Sequence, residues 1–210
     1  MLLFTKEVIE LLEIVLEKPK HLNTTVLNML HMEQILYNII LNLIKKDNHL
    51  RQIAKDLDVN HMTVKRALDT LVKENVLDVR EEGRNNVFSI KKTLEARNFV
   101  LMAEIYKLNR FIENHPKLKQ NLKDLNILHK GIIVIFGSYA RGTDTKESDI
   151  DIYIDTSSSK ILKYAKDINK KFSVKIGNFD NNSLLIKEIL GNHVIVRGVE
   201  EFYEKNKFFD

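Results

Sequence analysis

The sequence predicts an α+β protein in which a mainly helical region is followed by a small region built on a mixed sheet. Apolar residues recur at helical spacing from residue 31 onward, and "LDVREEGRNNVFSI" then has the pattern of two strands joined by a polar turn. Further along, the apolar run "GIIVIF" and the alternating "SDIDIYI" predict neighbouring strands. We therefore expect a helical domain at 1–92, a helical connector at 93–130 and an α/β domain at 131–210.

Composition limits the class of protein. The 210 residues are 44% hydrophobic and 30% charged, enough to bury a core in each of two small domains. The chain has no cysteine, which excludes disulfides and thiolate metal sites. We see no signal peptide or long apolar span and expect a cytoplasmic protein with no membrane partner. Lys and Arg outnumber Asp and Glu by eleven to nine in 31–92 and by seven to four in 93–130, so a polyanion would meet that part.

The helical region divides into several predicted elements. Residues 3–17 have helical apolar spacing from a Thr5 N-cap, and Pro19 marks their end. A second helix is predicted over about 31–46. Asp47 or Asn48 then caps a short helix that ends before the turn "DVN", and "HMTVKRALDTLVKENV" is amphipathic again. Helices followed by a hairpin are expected.

The stretch "LRQIAKDLDVNHMTVKRALDTLVKENVLDV", together with the hairpin, resembles a winged helix-turn-helix domain. In such domains the helix after the turn enters the major groove, so the resemblance implies binding of double-stranded DNA. The side chains that would face DNA are His61, Thr63, Lys65 and Arg66, with Arg80, Arg84 and Asn85 on the wing. A dimerisation or docking module is the alternative, with a homodimer as one outcome, because Glu81 and Glu82 in the wing would repel phosphate.

Residues 93–130 are helical by period and are interrupted at Pro116, so we interpret them as a connector. Arg110 and His115 have the Arg-x4-His spacing that resembles the catalytic pair of the HEPN ribonucleases. A proline follows the histidine directly, and no separate helical bundle is predicted around the pair. We favour a solvated helix end.

The stretch "FGSYARGTDTKESDIDIYID" contains the candidate site. A buried strand runs into Gly137, which lacks the Cβ that would keep a phosphate from the backbone, and Ser138 adds a hydroxyl. The following "SYARG" suits a short helix whose free N–H groups would face the same anion. The alternation places Asp149 and Asp151 on one strand face, about 7 Å apart. Two carboxylates with no cation adjacent in sequence suit hard divalent metal ions.

The spacing Gly-Ser, ten residues, Asp-x-Asp resembles the nucleotidyltransferase superfamily that includes DNA polymerase beta. It is closest to the minimal nucleotidyltransferases, which occur as prokaryotic antitoxins and in winged-helix fusions. The resemblance covers about 131–200. It implies that Gly137 and Ser138 hold the phosphates of a nucleoside triphosphate such as ATP. It also implies that Asp149 and Asp151 are catalytic and bind Mg²⁺.

The sequence departs from this family at one position. Active members usually carry a third carboxylate on a neighbouring strand, for which "KFSVKIGNF" is the candidate. Alternation leaves Ser173 and Lys175 on the site face, so Lys175 stands where an acid is expected and could instead bind a phosphate. Asp180 lies in a predicted turn and would reach the site only if the strand were short. Arg141 could bond the triphosphate or cap the short helix.

Two functions follow from these residues. The first is an enzyme that transfers a nucleoside monophosphate from a triphosphate to a hydroxyl, for example a tyrosine of a partner protein such as a toxin. The second is a catalytically degenerate DNA-binding regulator that senses nucleotide or docks a partner. The intact Gly-Ser and Asp-x-Asp motifs favour the first, and Lys175 favours the second.

Overall fold

The protein is described by a computed structural model over residues 22–83, 85–128 and 130–210, with side chains from residue 31 onward. The predicted helix at 3–17, with its Thr5 cap, and the candidate Arg84 lie outside the described residues. No helix within the described ranges is both long and apolar enough to cross a membrane.

The first described region contains three helices and three strands. They are α1 (Leu22–Leu43), β1 (Asn48–His49), α2 (Leu50–Leu57), α3 (His61–Lys73), β2 (Leu77–Glu82) and β3 (Asn85–Ile90). β3 pairs antiparallel with β1 on one side and with β2 on the other. The order helix, turn, helix, hairpin is the predicted one. Helix α1 begins nine residues earlier than expected, and the two-residue strand β1 was not predicted.

Helix α2 is capped by a different residue from the two predicted. The Gln52 N–H donates to His49 Nδ1 at 3.1 Å, so His49 is the N-cap. Asn48 is unavailable because it belongs to β1, is 7% exposed, and directs its amide toward Asn42 Oδ1 at 3.3 Å. Asp58, with φ of 51°, ends the helix.

The second region follows a long helix, α4 (Leu94–Asn114), a 3-10 turn (Pro116–Leu118) and α5 (Lys119–Leu128). Its elements are β4 (Ile133–Phe136), α6 (Gly137–Arg141), β5 (Ile150–Asp155), α7 (Ser159–Ile168), β6 (Phe172–Gly177), α8 (Leu184–Gly191), β7 (Val194–Arg197) and α9 (Val199–Lys205). The sheet order is β6-β5-β4-β7. β5 and β6 are parallel and the other pairs antiparallel, so the sheet is mixed as predicted. The sequence patterns did not predict α7, α8, β7 or α9.

The two faces of this sheet are buried in different cores. Ile150, Ile152 and Ile154 pack on one face with α5 and α7. Tyr153, on the other face, belongs to a core that is continuous with α1, α2 and α3. Helix α4 joins the two regions, because Val100 and its neighbours on that face are buried in the same cluster. The predicted connector is therefore a shared core helix as well as a link.

A buried ionic cluster also ties α4 to the second region. Glu104, 1% exposed, accepts hydrogen bonds from Tyr203 Oη at 2.9 Å and from Lys107 Nζ at 3.2 Å, and its carboxylate lies 3.3 Å from His193 Nε2. Burial alone would raise the pKa of Glu104. The hydrogen bond with His193 and the charge of Lys107 outweigh burial and hold that pKa at about 2.

Candidate functional site

The candidate site forms where β4 ends and α6 begins. Phe136, the last residue of β4, pairs across the sheet with Asp151 of β5. Gly137 follows with φ of +66°, a conformation that favours glycine. A Cβ built on Gly137 would stand 2.2 Å from Asp151 Oδ2. Only glycine therefore lets the backbone approach this carboxylate so closely.

Both aspartates alternate with the isoleucines of β5, and Asp151 lies directly against this turn. Asp149, just before β5, is exposed and Asp151 is half-buried. Within the described residues, neither carboxylate accepts a hydrogen bond or forms an ion pair. Two neighbouring carboxylates without a cationic partner are a donor set that fits a hard divalent ion such as Mg²⁺. The described residues contain no cluster of three or more His, Asp or Glu placed to hold a metal, so nucleotide and water would complete the coordination.

The residues of α6 contribute differently to this site. Phe136 provides no side-chain cap, and half-buried Ser138 lies in the uncapped first turn of α6. Arg141 lies at the other end of the helix, with Nη1 3.6 Å from Glu188 Oε1 of α8. Arg141 would have to leave Glu188 to contact a triphosphate.

The strand beside β5 places a serine in register with Asp151. β6 runs parallel to β5, and Ser173 pairs with Asp151. Lys175 pairs with Tyr153, one step further along the same face, and is exposed. Asp180 follows the far end of β6, so the strand is long enough to keep it from Asp151. The structure thus places Ser173 in register with Asp151 and Lys175 one pair further along the strand. Asp180 lies beyond the other end of β6.

Asp155, the third acid in this register, has a structural environment. Its side chain is 9% exposed and forms an ion pair with Lys205. It also accepts a hydrogen bond from the Phe179 N–H at 3.0 Å. Asp155 fixes the loop after β6 to the C-terminal end of β5.

The Arg-x4-His pair of α4 does not converge on one point. Arg110 forms an ion pair with Glu113 at 2.8 Å on the exposed side of the helix. His115 instead lies 3.4 Å from Asp144 Oδ2, and its ring centroid is 5.3 Å from that of Tyr139. This contact, 29 residues apart in sequence, anchors the loop that leads to the candidate site and had no signal in the sequence.

A groove of 310 Å³ lies between α2, α3 and β3 in the first region. Its lining includes the predicted residues His61, Lys65 and Asn85. Arg51, in the first turn of α2, also lines it and was missed. Half-buried Thr63 and exposed Arg66 are not among the lining residues. The structure therefore brings Lys65 and Arg51 together across the groove.

The wing arginine Arg80 is already engaged. Its Nη1 lies 2.6 Å from Asp47 and its Nε 2.8 Å from Glu82. The hydrogen bond to Asp47, and then that to Glu82, raise the pKa of Arg80. Contact with a DNA phosphate would require Arg80 to release these carboxylates.

Comparison with known proteins identifies the second region. The model of the nucleotidyltransferase domain matches residues 115–208. Two proteins of Methanocaldococcus jannaschii, each named "putative protein adenylyltransferase", are similar to this chain. One is 29% identical over 106 residues, covering 48% of this chain and 95% of the relative. The other is 34% identical over 84 residues, covering 37% and 67%.

A solved structure, that of Sso10a-2, a DNA-binding protein from Sulfolobus solfataricus, covers 45% of this chain and 94% of its own. Its TM-score is 0.33 at 20% identity, a likeness too low to carry an argument.

The chain belongs to the nucleotidyltransferase family, through the domain that holds Gly137, Asp149 and Asp151. The predicted resemblance is thereby confirmed for this domain. Membership supports transfer of a nucleoside monophosphate from a nucleotide substrate, and such domains usually work with a divalent metal ion.

Proposed function

We propose that the protein is a Mg²⁺-dependent nucleotidyltransferase that transfers AMP from ATP to a hydroxyl of a partner protein. The observation that carries this proposal is the carboxylate of Asp151 held against Gly137, with Asp149 two residues before it and neither carboxylate paired with another described residue. The names of the two archaeal relatives support adenylyl transfer to protein as the reaction.

The site residues have distinct proposed roles. The first turn of α6 and Ser138 bind the phosphates, and Asp149 and Asp151 hold Mg²⁺. The metal ion would neutralise and orient the triphosphate. The acceptor oxygen bonds to the α-phosphorus as the bond to the bridging oxygen breaks, so pyrophosphate leaves and the acceptor proton passes to solvent. Ser173 cannot act as a general base for the acceptor hydroxyl. A phenol, with a pKa of about 10, ionises more readily than an alkyl hydroxyl and is therefore the better acceptor.

Transfer can be measured with ATP labelled at the α-phosphate, Mg²⁺ and the product of a neighbouring gene as acceptor. We expect label on a tyrosine of the acceptor with the wild type and none with Asp151→Asn. Asp167→Asn, the same change on an exposed residue of α7, is the matched control and should keep activity. Equal labelling by Asp151→Asn would contradict the proposal.

We further propose that the first region binds double-stranded DNA through α3 and the adjoining groove. Lys65 and Arg51 line this groove, and each phosphate contact steepens the salt dependence of log K by about 0.9. Arg51→Ala with Lys65→Ala should therefore flatten the slope by nearly two. Lys73→Ala changes a lysine at the end of α3 that does not line the groove, so it should reduce the slope by less than one of the groove changes. An unchanged slope in the double variant would favour a docking module.

A second candidate function is a regulator that binds nucleotide without turnover. The observation that favours it is the face of β6 beside Asp151, where Ser173 and then Lys175 stand and neither residue is the acid that active family members usually carry on a neighbouring strand. Nucleotide binding without transfer, together with a DNA affinity that changes with ATP, would support this function over the first.

A further inference from the structure

A groove of 550 Å³ lies beside the C-terminal half of α4. It is formed by α4, the 3-10 turn, α5 and β7. Its apolar lining includes Leu108 and Ile112 of α4, Leu122 of α5 and Val196 of β7. The groove does not include Asp149 or Asp151, so it is separate from the candidate active site.

Three lysines line the rim of this groove. They are Lys117, Lys119 and Lys123, all exposed. None of them forms an ion pair with another described residue, whereas Arg97 and Lys107 of α4 are both paired with glutamates. The rim therefore carries three positive charges that no other described residue neutralises through an ion pair.

The apolar surface continues beyond the groove on both helices. Ile105, 52% exposed, precedes Leu108 by three residues on the same face of α4. Ile127, 74% exposed, follows Lys123 by four residues on α5. From Ile105 to Ile112 the face is about 10 Å long, roughly two turns of a helix. An apolar stripe edged by lysines is the complement of a helix with one apolar face and acidic flanks.

One end of the groove adjoins a residue that contacts the loop before the candidate active site. Pro116 lines the groove, and His115 before it contacts Asp144. Asp144 lies in the loop that leads to Asp149. A protein bound in the groove would therefore lie against a turn that contacts the loop before Asp149.

We propose that this lysine-rimmed groove docks an acidic amphipathic helix of the acceptor protein. This inference rests on the proposed protein-modifying function and names the surface by which the acceptor is recognised. The apolar face of the helix packs on Leu108, Ile112 and Leu122, and its acidic side chains pair with the lysines.

Binding can be tested in the absence of ATP with two fluorescein-labelled designed peptides. Both carry leucines on one helical face, and one has glutamates and the other lysines on the flanks. We expect the full chain to bind the acidic peptide at least tenfold more tightly by fluorescence anisotropy, with an affinity that falls as salt rises. Lys117→Glu, Lys119→Glu and Lys123→Glu together should reverse the preference. Lys160→Glu, Lys163→Glu and Lys166→Glu on α7, an equal change of charge on exposed residues that do not line the groove, should not.

Several outcomes would overturn the inference. Equal affinity for both peptides, or no reversal in the groove variant, removes the charge argument. Concentration-dependent self-association that the groove variant abolishes would assign the groove to a second copy. Peptide binding that appears only in a variant lacking residues 1–21 would assign the groove to that segment of the same chain. Peptide binding that behaves as expected while no acceptor is labelled would instead sink the proposed function and leave the groove as a docking site.

Discussion

The two ends of strand β5 carry the same residue type in different surroundings. At the start of the strand, Asp149 and Asp151 have no partner among the described residues, and Asp151 adjoins Gly137. At its end, Asp155 is 9% exposed, bonds the Phe179 N–H and pairs with Lys205. All three aspartates lie on one alternating register of the sequence.

This difference separates carboxylates that stabilise the fold from carboxylates that are available for chemistry. A carboxylate with protein donors contributes to folding, because the loss of its bonds leaves buried groups unsatisfied. Two adjacent carboxylates without donors have no such bonds to lose, so changing them should leave the fold as stable as before, and both remain available to a cation. The open end of β5 is therefore the end where we expect a metal ion.

The largest contrast is expected between Asp151→Asn and Asp155→Asn. Asp151→Asn should lower transfer about 100-fold or more, because metal stabilisation of the transferring phosphate is worth several kcal/mol, while melting stays unchanged. Asp155→Asn should keep transfer and lose about 1–3 kcal/mol of unfolding free energy. Activity assays and urea melts of both variants measure the two effects. The same loss of stability in both would erase the distinction between the two ends.

Glu104, like Asp155, is a carboxylate with hydrogen-bond donors from the protein, and it is fully buried. Its pKa in the folded protein is about 2 against an ordinary value of 4.5, so the stability it contributes is complete above pH 4.5 and is lost as pH falls toward 2. That contribution is on the order of 3 kcal/mol. The stability advantage of the wild type over Glu104→Gln should shrink by this amount on acidification. Glu113→Gln, the same change on an exposed glutamate paired with Arg110, is the matched control, because an exposed ion pair contributes little to stability. An advantage of the wild type over Glu104→Gln that stays constant with pH would rule out the assigned role.

Gly137→Ala and Gly142→Ala form a matched pair at the open end. Both glycines have positive φ, +66° and +69°, so both variants should lose about 1–2 kcal/mol of stability. Only Gly137→Ala places a methyl group against the Asp151 carboxylate, since a Cβ at Gly142 meets nothing within 4 Å. We expect Mg²⁺-dependent ATP affinity to fall about tenfold in Gly137→Ala alone, roughly the cost of a misplaced ligand. Calorimetric titration of ATP with Mg²⁺ into both variants measures this affinity. Equal affinities of Gly137→Ala and Gly142→Ala would contradict the assigned role of Gly137.

The smallest effect is expected beside Asp151. Ser173→Asp adds a carboxylate in register with Asp151 and should raise Mg²⁺ affinity several-fold, since hard cations gain from added carboxylates. Lys175→Asp, one pair further along, should raise it less. A larger gain from Lys175→Asp would mean that the lysine side chain reaches into the site, as the sequence motif suggested.

Local patterns in the sequence predicted most of the elements around the site. Alternation around Ile150 and Ile152 and the glycine after an apolar run predicted β4, α6 and β5. Strand β1 was not predicted because a strand of two residues shows no periodic pattern. The His49 cap was not predicted because pairing in β1 makes Asn48 unavailable as a cap. Contacts across long separations, such as Glu104 with Tyr203 and His115 with Asp144, depend on the completed fold and leave no local pattern.

The central claim is that Asp149 and Asp151 form a metal-dependent nucleotide site. Isothermal titration of ATP into the wild type, with Mg²⁺ and again with EDTA, tests this claim most directly when set beside Asp149→Asn plus Asp151→Asn. We predict binding by the wild type that needs Mg²⁺, and loss of that binding in the double variant at an unchanged melting temperature, because neither side chain has a partner among residues 31–83, 85–128 and 130–210. Mg²⁺-dependent binding of ATP by the double variant with wild-type affinity would contradict the account.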